Sequence, residues 1–383
     1  MGNDRLRAFA GWRHPAAAGG RGHARRLPRR DVGERHVEGT EPGRRGERRP
    51  MRRRPGPVAL LMLACAGCAR ESTPMDYMHG AAGPAQMPIQ ALAQGFTAIC
   101  TAVVAIIAVL LIVSVRRGIR EQRNDGDAVT PGRNGMPWIY WGVGLSVPVL
   151  LAMTVWSLLA TRAVATPPAA PAVDVEVIGH QWWWELRYHG DRASDIVTTA
   201  NELVVPVGQP VRLRMTSADV IHDFWVPKLG PKMDLVPGQW NNSWFQADRA
   251  GVYVGQCAEY CGVEHGKMGI RVRALPKAQF DTWLALERQP ALPSINRGAQ
   301  VFGQACAACH TVRGTGAGGI VGPDLTHVAG RLTLAAGMLP NTPTARMTWV
   351  AHTQQVKPGA QMPEVPLADV DRAAVVDYLG TLR

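Results

Sequence analysis

Two stretches of this chain run for more than twenty residues without a charge, and they limit what the rest can be. Ala91 to Val115 and Trp138 to Ala160 are uncharged and predominantly apolar. Each exceeds the ~20 residues a helix needs to cross a bilayer. Between them stand Arg116, Arg117, Arg120, Arg123 and Arg133. Short arginine-rich loops stay on the cytoplasmic side, so both outer ends of this helical hairpin are expected on the opposite face. Thr166-Pro167-Pro168-Ala169-Ala170-Pro171 then reads as a stiff linker leading away from the membrane.

The formal charge of +12 invites a nucleic-acid partner, but its distribution argues against one. Residues 1–50 hold 13 arginines against 6 acids, whereas Val173 to Arg383 holds 19 basic and 19 acidic residues. The folded part has no net positive field for phosphate. Residues 1–50 also lack apolar periodicity, while Met51 opens a secretory pattern: Arg52-Arg53-Arg54, the apolar run Val58 to Ala64, then small residues ending at Cys68. We expect translation to begin at Met51. Ala66-Gly67-Cys68 makes Cys68 a candidate for acylation, although Cys65 stands where such signals usually carry Leu.

Cys257-Ala258-Glu259-Tyr260-Cys261-Gly262-Val263-Glu264-His265-Gly266-Lys267-Met268 places two thiols, an imidazole and a thioether on one loop, and His222 stands upstream beyond a β-like stretch. One Cys, two His and a weak Met make a mononuclear electron-transfer copper site. A second thiolate allows two copper ions to be bridged, each with one His as terminal ligand. A Cys257–Cys261 disulfide would leave His222, His265 and Met268 without a role, and zinc has no use for the Met. Dinuclear copper is the expectation.

Cys306-Ala307-Ala308-Cys309-His310 is the attachment pattern of a c-type haem, with two thiols for the vinyl groups and a histidine for iron. A sixth ligand is commonly Met. Met338, Met347 and Met362 are available, and Met362 sits in the extended Lys357-Pro358-Gly359-Ala360-Gln361-Met362-Pro363 segment suited to holding a sulfur over the ring. Haem c attachment occurs on the outer face of the cytoplasmic membrane, in agreement with the arginine loop.

Period-two alternation predicts strands around the copper ligands: Val173, Val175 and Val177; Val211, Leu213 and Met215; Ile270 and Val272. A short helix near Phe280–Glu287 follows, and helices over Ile295–Ala305 and Ala368–Leu382 flank Gly/Pro-rich loops. The expected organisation is a start-site artefact or disordered segment at 1–50, a signal at 51–68, an outer-face segment at 69–90 and two spans within 91–160. A linker at 161–172, a β-sandwich or barrel at 173–288, a linker at 289–296 and a small haem domain at 297–383 complete it.

The copper loop, Gly179-His180-Gln181-Trp182-Trp183-Trp184, His222-Asp223-Phe224-Trp225-Val226-Pro227 and Met233-Asp234-Leu235-Val236-Pro237-Gly238 resemble subunit II of haem–copper cytochrome c oxidases. The last ninety residues are similar to the cytochrome c fused to that subunit in a bacterial branch. The resemblance covers Met51 to Arg383. It implies a multidomain membrane protein: a two-helix transmembrane hairpin, an all-β cupredoxin-like CuA domain and an all-α class I cytochrome c domain. It implies that Cys257 and Cys261 bridge the coppers, with His222 and His265 terminal, Met268 weak and Glu259 ligating through its backbone carbonyl. The Glu259 carboxylate would help bind Mg²⁺ shared with subunit I. Trp182 matches the aromatic at the electron-entry surface, and Trp183 and Trp184 are expected to pack. Asp223 stands where many relatives carry Ser, and Asp234 matches a position near the subunit I interface.

The implied function is electron delivery from cytochrome c through covalent haem (Cys306, Cys309, His310, Met362) and CuA to the haem of subunit I. Oxygen would be reduced to water there, in a proton-translocating oxidase of a bacterial inner membrane. Implied partners are subunits I and III, cytochrome c or another periplasmic donor, copper-insertion chaperones and the membrane, with no nucleic acid. A CuA-bearing nitric oxide reductase subunit would be told apart by its catalytic neighbour. A membrane-tethered carrier would co-purify with no large haem protein. The quinol-oxidase branch lacks the copper ligands that are all present here.

Overall fold

The computed structural model describes residues 75–125, 135–190, 192 and 195–383. The leader through residue 50, the signal with Cys65 and Cys68, and Arg133 lie outside the described residues.

Helices α1 (Met87–Asp125) and α2 (Met136–Ala165) contain the two apolar runs. Helix α1 continues ten residues past Val115, where Arg116, Arg117, Arg120, Glu121, Gln122 and Arg123 are good helix formers. The two helices meet where Phe96 lies edge-on to Trp156, ring centroids 6.0 Å apart. Val104, Leu110 and Leu150 each leave more than half of their surface bare. Apolar surface of this extent costs about 25 cal/mol per Å² in water, so these helices require a lipid or protein cover. Trp138, Tyr140 and Trp141, also exposed, mark the start of α2 beside the arginine loop, where interfacial aromatics concentrate.

Ten strands form a two-sheet sandwich. One sheet has the order β3 (Val197–Ala200), β2 (Trp183–Tyr188), β1 (Val173–His180), β5 (Val211–Ser217), β8 (Asn241–Phe245). The other has the order β4 (Glu202–Pro206), β10 (Gly269–Leu275), β9 (Gly251–Cys257), β6 (His222–Trp225), β7 (Met233–Leu235). In β5 the buried Val211, Leu213 and Met215 alternate with exposed Arg212 and Arg214, and Ile270 and Val272 of β10 are buried in the same way. Strand β1 departs from simple alternation. It is central to its sheet, and Glu176 is buried beside Arg214 (3.1 Å) and His189 (3.3 Å). The Tyr188 hydroxyl joins the two sheets: it accepts from Val204 N (2.7 Å) and donates to Val204 O (2.9 Å).

The residues before α1 pack on this sandwich. Ala82 belongs to its core, donates to Lys228 O and accepts from Asp248 N, both at 2.8 Å. At the far end of α2, Trp244 Nε1 donates to Val164 O (2.8 Å). Both outer ends of the hairpin therefore abut the same sandwich.

Helix α3 (Lys277–Glu287) closes the sandwich and begins one turn closer to β10 than the sequence pattern implied. A second core lies among α4 (Arg297–Ala305), α5 (Pro343–Ala351), α6 (Thr353–Val356) and α7 (Asp369–Thr381), with a small hairpin of β11 (Thr333–Leu334) and β12 (Leu339–Pro340). Helices α4 and α7 cross so closely that a Cβ on Gly298 would lie 2.0 Å from Ala374 O. Phe302 and Tyr378 fill the crossing edge to face, centroids 5.6 Å apart. Two helices, an all-β sandwich and an all-α terminal module make up the described fold.

Candidate functional site

Strands β9 and β10 pair antiparallel, so the loop between them leaves and returns at one end of the sandwich. Cys257 N donates to Met268 O (2.9 Å), which sets these residues side by side at the mouth of the loop. Strand β6 pairs with β9 in the register Phe224↔Cys257, which brings His222 to the same place. Within the loop Gly262 takes φ +118°, and a Cβ there would lie 2.9 Å from the Trp182 ring. Only glycine fits that backbone and that approach.

Cys257 Sγ and Cys261 Sγ are 3.8 Å apart. A disulfide would need ~2.05 Å, so these are two separate sulfurs. His222 Nδ1 lies 3.9 Å from the Cys257 sulfur, and His265 Nδ1 lies 3.6 Å from the Cys261 sulfur. Met268 Sδ is 3.9 Å from Cys261 Sγ, and Glu259 O is 3.2 Å from Cys257 Sγ. His222, Cys257, Cys261 and Met268 are buried. The contact with the Cys261 thiol, aided by His222, pulls Cys257 far below the usual thiol range, and the contact with Cys257 pushes Cys261 up. Two buried sulfurs this close repel one another when both are thiolate, and a soft cation between them would offset that repulsion.

Asp219 orients one imidazole. Its Oδ1 lies 2.8 Å from His222 Nε2, leaving Nδ1 toward the sulfur, and its Oδ2 accepts from Gln181 N (2.7 Å). Burial lowers the His222 pKa, but Asp219 and Cys257 outweigh burial and the net shift is upward. Asp223 turns the other way, as the next residue of a strand must. It is buried opposite Asp234 and 3.2 Å from Lys232 Nζ. Burial and Asp234 raise its pKa to about 6. The Glu259 side chain is exposed.

The second site is a cavity of about 210 Å³ in the helical module, lined by Cys306, Cys309, His310 and Met362 among apolar side chains. His310 Nδ1 is 2.8 Å from Pro323 O, which fixes the ring and leaves Nε2 free. Burial lowers the His310 pKa, so the ring is held neutral, as an iron ligand must be. Of the three methionines considered, Met362 lines the cavity, Met347 packs on the helical core and Met338 is exposed. Gln354 pins the Met362 segment: its Nε2 donates to Ala360 O and Met362 O (both 2.8 Å), and its Oε1 accepts from Gly359 N (2.9 Å).

The two sites share a wall. Gln181, Trp182 and Trp183 of the sandwich line the cavity of the helical module. Trp182 Nε1 and Gln181 Nε2 both donate to Cys261 O, at 2.9 and 2.7 Å. Trp182 is 8% exposed. It is therefore not on open surface: Gly359 lies against its ring, and Lys357 Nζ donates to its carbonyl at 2.5 Å. Trp184 is wholly buried in the sandwich core, and Trp183 stacks on His180 at 4.2 Å.

Comparison with known proteins matches both modules. Residues 190–275 match the family model "Cytochrome C oxidase subunit II, periplasmic domain", and residues 295–383 match "Cytochrome c". Cytochrome c oxidase subunit 2 of Alkalihalophilus pseudofirmus is 31% identical over 341 residues, which is 85% of this chain and 96% of that protein. The chain belongs to the cytochrome c oxidase subunit 2 family. The subunit 2 of Bacillus sp. strain PS3 is 30% identical over 270 residues, 64% of this chain and 74% of its own length. Among solved structures, the periplasmic domain of subunit II of cytochrome oxidase of Bradyrhizobium japonicum matches with 31% identity and a TM-score of 0.30, over 31% of this chain and 96% of that one.

For a cytochrome c oxidase subunit 2, the family's outer domain implies CuA copper and the fused domain implies haem. The donor chemistry fits both. Paired soft sulfurs with separate imidazoles suit copper, and a His and a thioether lining one largely apolar cavity suit a haem iron. Asp219, Gln181, Gln354 and Lys357 were not among the residues singled out from sequence. Asp219 precedes His222 by three residues, a spacing that could have flagged it. The others act through fold contacts that no local pattern carries.

Proposed function

We propose that this chain is the electron-receiving subunit of a terminal cytochrome c oxidase. In this proposal Cys257 and Cys261 bridge two coppers, His222 and His265 are terminal ligands, Met268 ligates weakly and Glu259 offers its backbone carbonyl. Cys306 and Cys309 anchor the haem covalently between His310 and Met362. Bound there, the haem and the copper pair supply one-electron carriage from a periplasmic cytochrome c or similar donor toward the haem of subunit I, where oxygen is reduced to water.

The observation that carries this proposal is the shared wall. Trp182 lines the haem cavity and is hydrogen-bonded to the carbonyl of Cys261. The residues do three things: the β9–β10 loop holds donors at close spacing, Asp219 and Pro323 O set two imidazoles, and Trp182 joins the two sites. This gives Trp182 its electron-entry role from within the molecule, under a module that covers it. The exposed Glu259 carboxylate is free to meet a Mg²⁺ ion at the boundary with subunit I. Subunit III, the donor and copper chaperones belong to the same proposal.

Both hairpin ends abut the sandwich, at Ala82 and at Val164. With the arginines in the connecting loop, this supports an inner-membrane hairpin with both cofactor modules on the periplasmic face. The domain limits expected from sequence are proposed with two changes: α1 begins at Met87, inside the expected outer segment, and α2 runs to Ala165, so the linker begins at Thr166.

The test is the assembly purified from its membrane. Copper and iron should be present in a two-to-one ratio in this subunit, with haem retained through acid–acetone extraction. A large haem protein should co-purify, and oxygen uptake should be driven by reduced cytochrome c. Haem lost on extraction would remove the covalent assignment, and nitric oxide consumption without oxygen uptake would replace the oxidase with the reductase.

A further inference from the structure

Lysine is the side chain least expected in a dry interface, yet Lys357 is 3% exposed between the two modules. Its Nζ donates to Trp182 O (2.5 Å) and to Lys267 O (2.9 Å). Those carbonyls lie on the two sandwich segments that frame the copper cluster: Trp182 bonds Cys261 O, and Lys267 directly precedes Met268. The Lys357 side chain also lines the haem cavity, five residues before Met362. Lys267 returns the contact, with its Nζ donating to Val356 O (3.1 Å). Around this centre the interface also carries Gly269 N to Ala336 O (2.9 Å), Leu332 N to Glu202 Oε2 (2.6 Å) and Arg271 Nη2 to Gly337 O (3.3 Å).

We propose that Lys357 is the positioning residue that locks the haem-bearing module onto the copper loop and so sets the separation of the two redox centres. This rests on the proposed passage of electrons between them. A buried ammonium is stable only where fixed acceptors replace water. Here the acceptors are two carbonyls of the sandwich, and the ammonium reaches both when the helical module is docked in this register. If the module shifts, the ammonium is left dry and unpaired, so Lys357 penalises every other docking pose. Burial lowers its pKa to about 8, opposed by Glu264 and Cys261 and reinforced by Lys267, so it remains largely cationic at neutral pH.

The experiment uses the intact oxidase in detergent, with Lys357→Met, which keeps the stem and removes the donors, and Lys357→Arg as the conservative replacement. Two quantities are read: amide hydrogen exchange at Gly269 and Leu332, and the haem-to-copper transfer rate after flash reduction. In Lys357→Met both amides should lose protection while the haem and copper spectra stay intact. Transfer should slow severalfold, because electron tunnelling weakens steeply as the two centres move apart. Lys357→Arg should restore most of both. Unchanged protection at Gly269 and Leu332 in Lys357→Met overturns the proposal, whatever the rate does. If that variant loses its haem spectrum, Lys357→Gln, whose amide donates to one carbonyl at most, is read by the same two outcomes. Absence of transfer in the unmodified protein would refute the electron path alone, because the exchange measurement judges the lock independently.

Discussion

Two sulfurs 3.8 Å apart, each beside its own imidazole, make the metal cluster sensitive to single atoms. In Cys261→Ser a hard oxygen replaces one of the two sulfurs proposed to bridge the coppers, and soft copper has no comparable bond to make there. The mixed-valence dinuclear signal should vanish from the paramagnetic resonance spectrum, and its survival would remove Cys261 from the bridge. Asp219 acts one bond further out, by holding His222 Nε2. Outer partners of this kind typically change metal affinity by about 10- to 100-fold. Asp219→Asn should weaken copper retention by that order in competition with a chelator, with the dinuclear spectrum kept. Unaltered retention would mean that packing alone orients the ring.

At the scale of elements, β1 and β2 are joined by more than their ladder. His180 Nε2 lies 2.9 Å from Glu185 Oε2, and Arg187 Nε donates to Glu185 Oε1 at 2.6 Å. Burial raises the Glu185 pKa, but His180 and Arg187 outweigh burial and the net shift is downward from 4.5. A carboxyl with a depressed folded pKa contributes stability that is present above its unfolded value and lost as pH falls through the folded one. Glu185→Gln should therefore cost roughly 1–2 kcal/mol at neutral pH. The loss should shrink below pH 4.5, when read from the sandwich's own thermal transition. Equal destabilisation at pH 7 and pH 3 would assign Glu185 a packing role.

These elements differ in how far the sequence revealed them. The apolar runs of the hairpin, the alternation in β5 and β10, and the two cofactor motifs were legible because each is written in neighbouring residues, whereas the helix ends at Met87, Asp125 and Ala165 lie beyond those runs. Strand β1 was legible as a strand but not as one buried on both faces, since that depends on what the fold lays over Glu176. Helix α3 starts at Lys277 rather than near Phe280 because Pro276 and the end of β10 set its first turn, a tertiary boundary. The covering of Trp182 was not legible at all. It arises from contacts between residues about 175 positions apart, and no local pattern encodes a partner at that distance.

For the whole molecule, the placement of both hairpin ends against the sandwich has a direct consequence. A periplasm-dependent reporter fused after Arg383 should be active, and one inserted between Arg117 and Arg133 should be silent. The reverse pattern would invert the molecule in its membrane. The covered Trp182 carries a consequence for kinetics. A soluble donor cannot stack on an indole that is 8% exposed and roofed by Gly359 and Lys357. Electrons from outside should therefore reach the haem first. Even a flexible tether would give the haem module an effective concentration on the order of millimolar at the copper loop, and a docked module removes the search altogether. In stopped-flow mixing with a reduced donor, the haem band should change at a rate proportional to donor concentration. The copper band should follow at a rate that does not change when the oxidase is diluted. Copper reduction that precedes the haem, or that scales with donor concentration on its own, would mean that electrons enter through a face of the sandwich the helical module leaves open.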